Sequence, residues 1–162
     1  MSDAAQNTQP VFSIEKVYVK DLSLEIPNAP QVFLEREAPQ VDIQLHHNSS
    51  QVDEGVYQTV LTVTVTAKVK DKTMFLVEAS QAGIFVARNI PAQELEAVLA
   101  IACPNILFPY VREVISDVVV RAGFPPVLLS PVNFEAIYQQ QHQQQPGVDQ
   151  PPVQIITPTI SH

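Results

Sequence analysis

The sequence predicts an α+β fold in which a four-stranded antiparallel sheet carries helices packed on one face. Three observations predict it. The first half alternates apolar and polar side chains with period two, the second half repeats apolar side chains at helical spacing, and the strands come as a block before the helices. At 162 residues the chain is one domain's worth, long enough to bury a hydrophobic core.

Residues 1–10 are small and polar and are expected to fray, which places the folded domain at 11–145 and a flexible Pro/Gln-rich tail at 146–162. From Val11 to Ile26, Phe12, Ile14, Tyr18, Leu22, Leu24 and Ile26 share one parity, interrupted by Lys16 and Lys20; Glu15, Asp21, Ser23 and Glu25 share the other. That is a long strand, bent somewhere. Pro27 and Pro30 end it, because proline cannot donate to a ladder. Val41, Ile43 and Leu45 against Asp42, Gln44 and His46 predict a second strand, closed by the turn-prone "HHNSSQVDEG". Tyr57, Leu61, Val63, Val65, Ala67 and Val69 line one face of a third, with β-branched residues dominant. Lys70-Asp71-Lys72 is a tight connection to a fourth strand, Thr73 to Val86, in which Gly83 predicts a bulge.

After Pro91 the period changes. Leu95, Val98, Leu99 and Ala102 recur at helical spacing in a short segment that Pro91 opens and Pro104 stops. A longer helix is expected from about Phe108, with Val111, Val114, Ile115 and Val118 on one stripe and Gly123 just past its end. The stripe, widened by Val119 and Val120, is broader than one sheet usually covers and points to a subunit interface. "FPPVLLSP" leads to a last helix capped by Asn133, with Phe134, Ile137 and Tyr138 inward, running into "QQQHQQQ".

Charge and composition exclude several functions. Seventeen acidic residues against nine basic ones give a net charge of −8, which disfavours binding to nucleic-acid phosphates. Four unclustered glycines leave no loop to cradle a nucleotide. No apolar run approaches the roughly 20 residues of a membrane span, and the start lacks the basic and apolar regions of a secretory leader, so no direct membrane insertion and a cytoplasmic location are expected. A lone Cys103 fits a reducing compartment.

Cys103 as a nucleophile would need a base and a cationic setting, which His46, His47, His142 and His162 do not obviously supply. It reads better as a small buried apolar residue. His46 and His47, adjacent on a strand, point to opposite faces and read as solvated turn histidines rather than a metal pair. Glu94 and Glu96 do not share a helical face, and Glu113 with Asp117 suits a solvated helix edge. No HExxH, GxSxG, Walker or CxxC pattern occurs, so no enzyme, cofactor or metal is expected. What remains is apolar surface beside acidic surface. Asp21 and Glu25 share a face of the first strand, and Glu78 interrupts an apolar strand beside Leu76. Spacing alone allows either a solubilising outer face or a flat anionic patch that docks a basic partner.

"CPNILFPY" (Cys103 to Tyr110), "YVKDLSLEIPNAP" (Tyr18 to Pro30), "GIF" (Gly83 to Phe85) and "PVNF" (Pro131 to Phe134), in that family's order and spacing over Val11 to Gln145, closely resemble the SecB family of bacterial protein-export chaperones. The resemblance implies a homotetramer, a dimer of dimers, that holds unfolded preproteins in apolar grooves without ATP and delivers them to the motor SecA. It implies a SecA-docking face at Asp21, Glu25, Leu76 and Glu78, whose ligand is SecA's basic, zinc-bearing C-terminal tail; the zinc belongs to the partner. A groove for many clients needs apolar and aromatic surface rather than sequence-reading hydrogen bonds, which Ile106, Leu107, Phe108, Tyr110, Phe124 and Phe134 supply unless they form the subunit's own core, as Ile106 and Phe134 do more readily. The subunit interface then falls to Val111, Val114, Ile115 and Val118. The competing readings are an acidic adaptor that binds a basic-tailed partner without holding clients, and a Cys103 enzyme. The tail after Gln145, through "QIITPTISH", departs from the family's short polar ending.

Overall fold

Four long strands, β1 (Val11–Glu25), β2 (Gln40–Asp53), β3 (Val56–Val69) and β4 (Lys72–Arg88), form one antiparallel sheet, seen in a computed structural model that describes residues 8–143 and Val153–Gln154. The expected α+β architecture is present. The expected fraying of residues 1–10 and flexibility of 146–162 lie outside the described residues, except that the Gln9 carbonyl accepts from Asn89 Nδ2 at 3.0 Å and that Val153–Gln154 forms a fifth strand, β5. The order across the sheet is β1-β4-β3-β2-β5.

β1 therefore pairs with β4 rather than with its neighbour in sequence. Residues 26–39, which contain three prolines, cannot close a hairpin; they cross the end of the sheet to reach its far edge. Asn28 Nδ2 donates to the Thr73 carbonyl at 2.9 Å, and Val32, in a 3-10 turn (Gln31–Leu34), is buried there. β2, β3 and β4 form a meander. Lys70 and Asp71 both adopt positive φ, 50° and 64°, as a two-residue hairpin turn requires.

β1 carries two bulges, between Ile14 and Lys16 and between Val19 and Asp21. Each inserts one residue and reverses the parity that follows. The face toward the helices is thus Phe12, Ile14, Val17, Val19, Leu22 and Leu24, while Lys16, Tyr18, Asp21, Ser23 and Glu25 lie on the outer face. Tyr18 accordingly turns away from Phe12, and its hydroxyl donates to Gln58 Oε1 on the outer face. Gly83, expected at a bulge, pairs in register with both Val17 and Thr59. β2 runs on through "HHNSSQVD" to a turn at Glu54-Gly55, eight residues beyond the expected strand end.

The predicted break at Pro104 is also absent. α1 (Ala92–Ala97), a π-turn (Val98–Ala102) and α2 (Cys103–Arg121) form one continuous helix. Pro104 lacks an N–H and crowds the carbonyls of the preceding turn; the chain answers by widening, with the Cys103 amide donating to Val98. The Ser49 hydroxyl approaches the Leu99 carbonyl at 3.4 Å, where the proline leaves no amide to serve it. The joined helix spans 30 residues and contains an 18-residue window of mean hydropathy 1.5, enough by length and composition to cross a membrane. Its sheet-side residues are sealed against β3 and β4, as in a core helix.

α2 buries Leu107, Val111, Ile115 and Val118, a stripe at spacings of four and three residues. Each is worth about 1.5–3 kcal/mol of transfer from water. The helix ends in a paired glycine motif: Gly123, at φ 93°, donates to Val120 and Phe124 donates to Val119. α3 (Phe134–Gln143) starts where Asn133 Oδ1 accepts from the Ala136 amide at 3.0 Å, the expected cap.

Candidate functional site

The sheet has two chemically distinct faces, and the ladder registers decide what each presents. On the outer face Asp21 stands opposite Ser80, Ser23 opposite Glu78 and Glu25 opposite Leu76. Glu78 thus lies diagonal to both Asp21 and Glu25, about 7–8 Å away in such a ladder. The four residues expected to form a docking face, Asp21, Glu25, Leu76 and Glu78, are brought together on one surface. The Thr64 hydroxyl donates to Glu78 Oε2 at 2.9 Å and orients it. None of the three carboxylates is in an ion pair among the described residues. Leu76 is half-buried among them, so the patch combines negative charge with one apolar contact point.

The helix side gives a different outcome. Of the six side chains expected in an open groove, Leu107, Phe108, Phe124 and Phe134 are buried in the chain's own core and Ile106 is half-buried; Tyr110 alone is exposed, at 51%. Leu107 and Phe134 retain 0% and 1% of their surface and offer none to a ligand. The interface stripe fares likewise. Val111, Ile115 and Val118 are sealed beneath the sheet and Val114 is half-buried, because the stripe that looked too wide for one sheet is the face that packs on it. Within the single chain, the sheet is what this apolar helix face packs against.

The open apolar surface is elsewhere. On the helix side of β1, Phe12, Ile14, Val19, Leu22 and Leu24 remain between 38 and 50% exposed, since α2 covers β3 and β4 but not this edge. Sequence reading missed it because the bulges hide the true parity. A second open region lies at the crossing segment. Phe33, 45% exposed, stacks on Phe124 at 5.2 Å, which in turn packs on Phe75 at 4.9 Å, and Leu34 beside it is 73% exposed. Next to them is a cleft of about 280 Å³ lined in part by Pro27, Val32, Val69 and Met74.

Burial pushes the Cys103 thiol up to about 11, with a hydrogen bond to Thr59 opposing it weakly, so the thiolate needed for nucleophilic attack is disfavoured. His46 and His47 occupy mid-strand positions rather than a turn. His47 is half-buried with its ring 6.0 Å from that of Phe134, edge to face. Desolvation, and secondarily His46, lowers its affinity for a proton below the ordinary 6.5. The folded state thus binds this proton more weakly than the unfolded one, and the stability His47 contributes is present above pH 6.5 and lost as pH falls through the lowered value. Urea unfolding should show a lower midpoint at pH 5.5 than at pH 7.5, with the difference reduced in His47→Gln; an unchanged difference in the variant would assign the pH effect to other groups.

Comparison with known proteins completes the site. Residues 5–145 match the family SecB, "Preprotein translocase subunit SecB". The chain is 66% identical over 142 residues to the "Protein-export protein SecB" of Methylobacillus flagellatus, covering 88% of this chain and 90% of that one. It is 67% identical over 144 residues to the protein of the same name from Nitrosospira multiformis, with 89% of each covered. Among solved structures it is similar in fold to a SecB-like chaperone of Mycobacterium tuberculosis, in complex with a peptide from an antitoxin, at TM-score 0.63 and 16% identity, covering 75% of this chain and 91% of that one. With a family match over most of its length and relatives at this identity, the chain belongs to the SecB family.

Proposed function

We infer that the protein is an ATP-independent holdase that binds unfolded precursor proteins, keeps them competent for translocation and delivers them to SecA in the cytoplasm. The single observation that carries the reading is the pairing of two unlike surfaces on opposite sides of one sheet: apolar side chains left open on the helix side, and three carboxylates around Leu76 on the outer side. Unfolded chains expose apolar groups without a fixed sequence, and adaptable apolar surface is what captures them. A carboxylate patch suits a basic receptor, where charge complementarity sets the rate and specificity of encounter. SecB is a chaperone family rather than an enzyme family, and Cys103 is buried in the core.

Clients are placed on the open side chains around Phe33, Leu34 and Tyr110, rather than on the sealed Leu107 and Phe134. The chain is proposed to act as a homotetramer. One feature supports a covering copy over the helix side of β1: the exposed apolar row from Phe12 to Leu24. Val120, 52% exposed on α2, takes the interface role first expected of Val111 and its neighbours.

The test is nucleotide-free suppression of aggregation. Purified protein at one tetramer per client should keep a chemically unfolded precursor out of the aggregate, measured by light scattering. Scattering equal to that of the client alone overturns the holdase reading and leaves the acidic adaptor.

A further inference from the structure

The second bulge of β1 does more than reverse parity. It falls between Val19, opposite Gln81, and Asp21, opposite Ser80, and leaves Lys20 as the inserted residue. Two consecutive side chains, Lys20 and Asp21, therefore reach the outer face, where regular alternation would allow one. The Lys20 ammonium lies 3.4 Å from Gln58 Oε1 on β3, the oxygen that also accepts from the Tyr18 hydroxyl. To reach it both side chains cross over β4, which is low here because it carries only Ser80 and Ala82 on that face.

Small side chains under long ones leave a hollow. A polar depression of about 410 Å³ opens there, with Ser80 and Val60 in its floor, Asn48 and Ser50 of β2 on the far side, and Lys20 and Asp21 on the near side. Among the described residues Lys20 is in no ion pair, not even with Asp21 next to it. Its level on the sheet is two to three residues from Glu78 and four to five from Leu76 and Glu25, or about 8 Å and about 15 Å along the strands. The outer face is thus polarised: carboxylates gather around Leu76 at one end, and a cation with amide and hydroxyl groups stands at the other.

We propose that this depression is a carboxylate subsite of the docking face: it takes an acidic side chain of the same partner segment whose basic groups meet Asp21, Glu25 and Glu78, and so fixes the direction in which that segment lies. The inference rests on the docking reading. Asp21 decides the class of ligand. A free anion would meet it as a like charge, whereas an acidic residue carried by a basic segment arrives with a cation that neutralises Asp21. Lys20 has ammonium hydrogens beyond the one directed at Gln58, and a bond from them to a carboxylate is stronger than the bond to an amide. A partner that carries only basic groups faces Lys20 as a like charge, so the subsite also discriminates against it.

The sign of one substitution tests the subsite. If net charge alone governed the encounter with a basic partner, removing a lysine from this face would tighten binding. The subsite predicts the opposite. Binding of purified SecA to the full chain, followed by isothermal titration calorimetry, should weaken about fivefold in Lys20→Gln, the upper end for one partly exposed ion pair, and recover in Lys20→Arg. Lys16→Gln, which removes the same charge from the same face one row beyond the depression, should bind SecA no more weakly than the parent. Both lysines are exposed, so the melting temperatures of the variants should match that of the parent. Binding by Lys20→Gln as tight as the parent's, or tighter, overturns the inference. So does equal weakening in Lys16→Gln, or a loss that Lys20→Arg does not restore. Glu78→Lys measured alongside separates the two readings. If it binds SecA as tightly as the parent, or the parent binds none, the docking reading falls and the inference with it; if it binds weakly and Lys20→Gln does not, the inference alone falls.

Discussion

Gly83→Val is expected to destabilise the fold by about 3 kcal/mol, the upper end of what an overpacked core site costs, even though glycine inside a strand is normally a weak point that a β-branched residue improves. The sign follows from what covers the position. Gly83 lies on the helix side of β4, paired with Val17 and Thr59, and a Cβ there would stand 2.6 Å from Phe85 Cε2 and 3.0 Å from Leu107 Cδ2. The Phe85 ring is fully buried and stacked on Phe12 at 5.7 Å, so it has little room to yield, and Leu107 is held by α2. Added methyl groups must therefore lift the helix or displace the ring. For a chain of this size the cost corresponds to a fall in melting temperature of about 10 °C, readable by thermal circular dichroism. Gly83→Ala should fall in the same direction by less. A rise in melting temperature for either would mean that the helix does not approach β4 so closely.

Gly83 also shows where sequence reading succeeds and where it stops. A glycine in a strand signals either a bulge or a close approach, and sequence does not separate the two; the answer lies in how the Phe85 ring folds back over the position and in Leu107, twenty-four positions away. β3 was legible because it keeps parity under a helix through Ala67, so Leu61, Val63 and Val65 alternate with threonines, and β4 because its one irregularity, at Met74, lies beside the hairpin turn. β1 was legible as a strand but not as a surface. Its two bulges reverse parity twice, and the pattern that looked like lysines interrupting an apolar face is two faces spliced together. The second half of β2 was lost because its helix-side residues, His47 and Ser49, meet a ring edge and a backbone carbonyl rather than aliphatic side chains. Pro104 misled because a π-turn absorbs a proline that an α-helix would not. The acidic patch was readable, since Asp21 and Glu25 follow the last bulge and keep register to the strand's end. The groove was not, because helical spacing says that a stripe is apolar without saying what it packs against.

Charge reversal on the outer face should separate delivery from holding. Asp21→Arg, Glu25→Arg and Glu78→Arg together are expected to weaken the proposed binding to a basic SecA tail by roughly a hundredfold, while the proposed capture of unfolded client persists. Each exposed ion pair is worth about 0.2–1 kcal/mol, and reversal replaces attraction with repulsion of similar size, so three sites sum to about 3 kcal/mol, or roughly a hundredfold. The effect should shrink as salt rises, because charges separated by more than about 8 Å at physiological ionic strength are screened. Client capture is spared for a topological reason: the three carboxylates point away from the helices, and the open rings of Phe33 and Tyr110 lie elsewhere. A matched pair of single variants removes the remaining ambiguity. Glu78→Lys and Glu113→Lys change net charge equally, but Glu113 sits exposed on α2 rather than in the patch. Loss confined to Glu78→Lys assigns the contact to this face. Equal loss in both would reduce the effect to net charge, and tight SecA binding by the triple variant at low salt would remove the outer face from the interaction altogether.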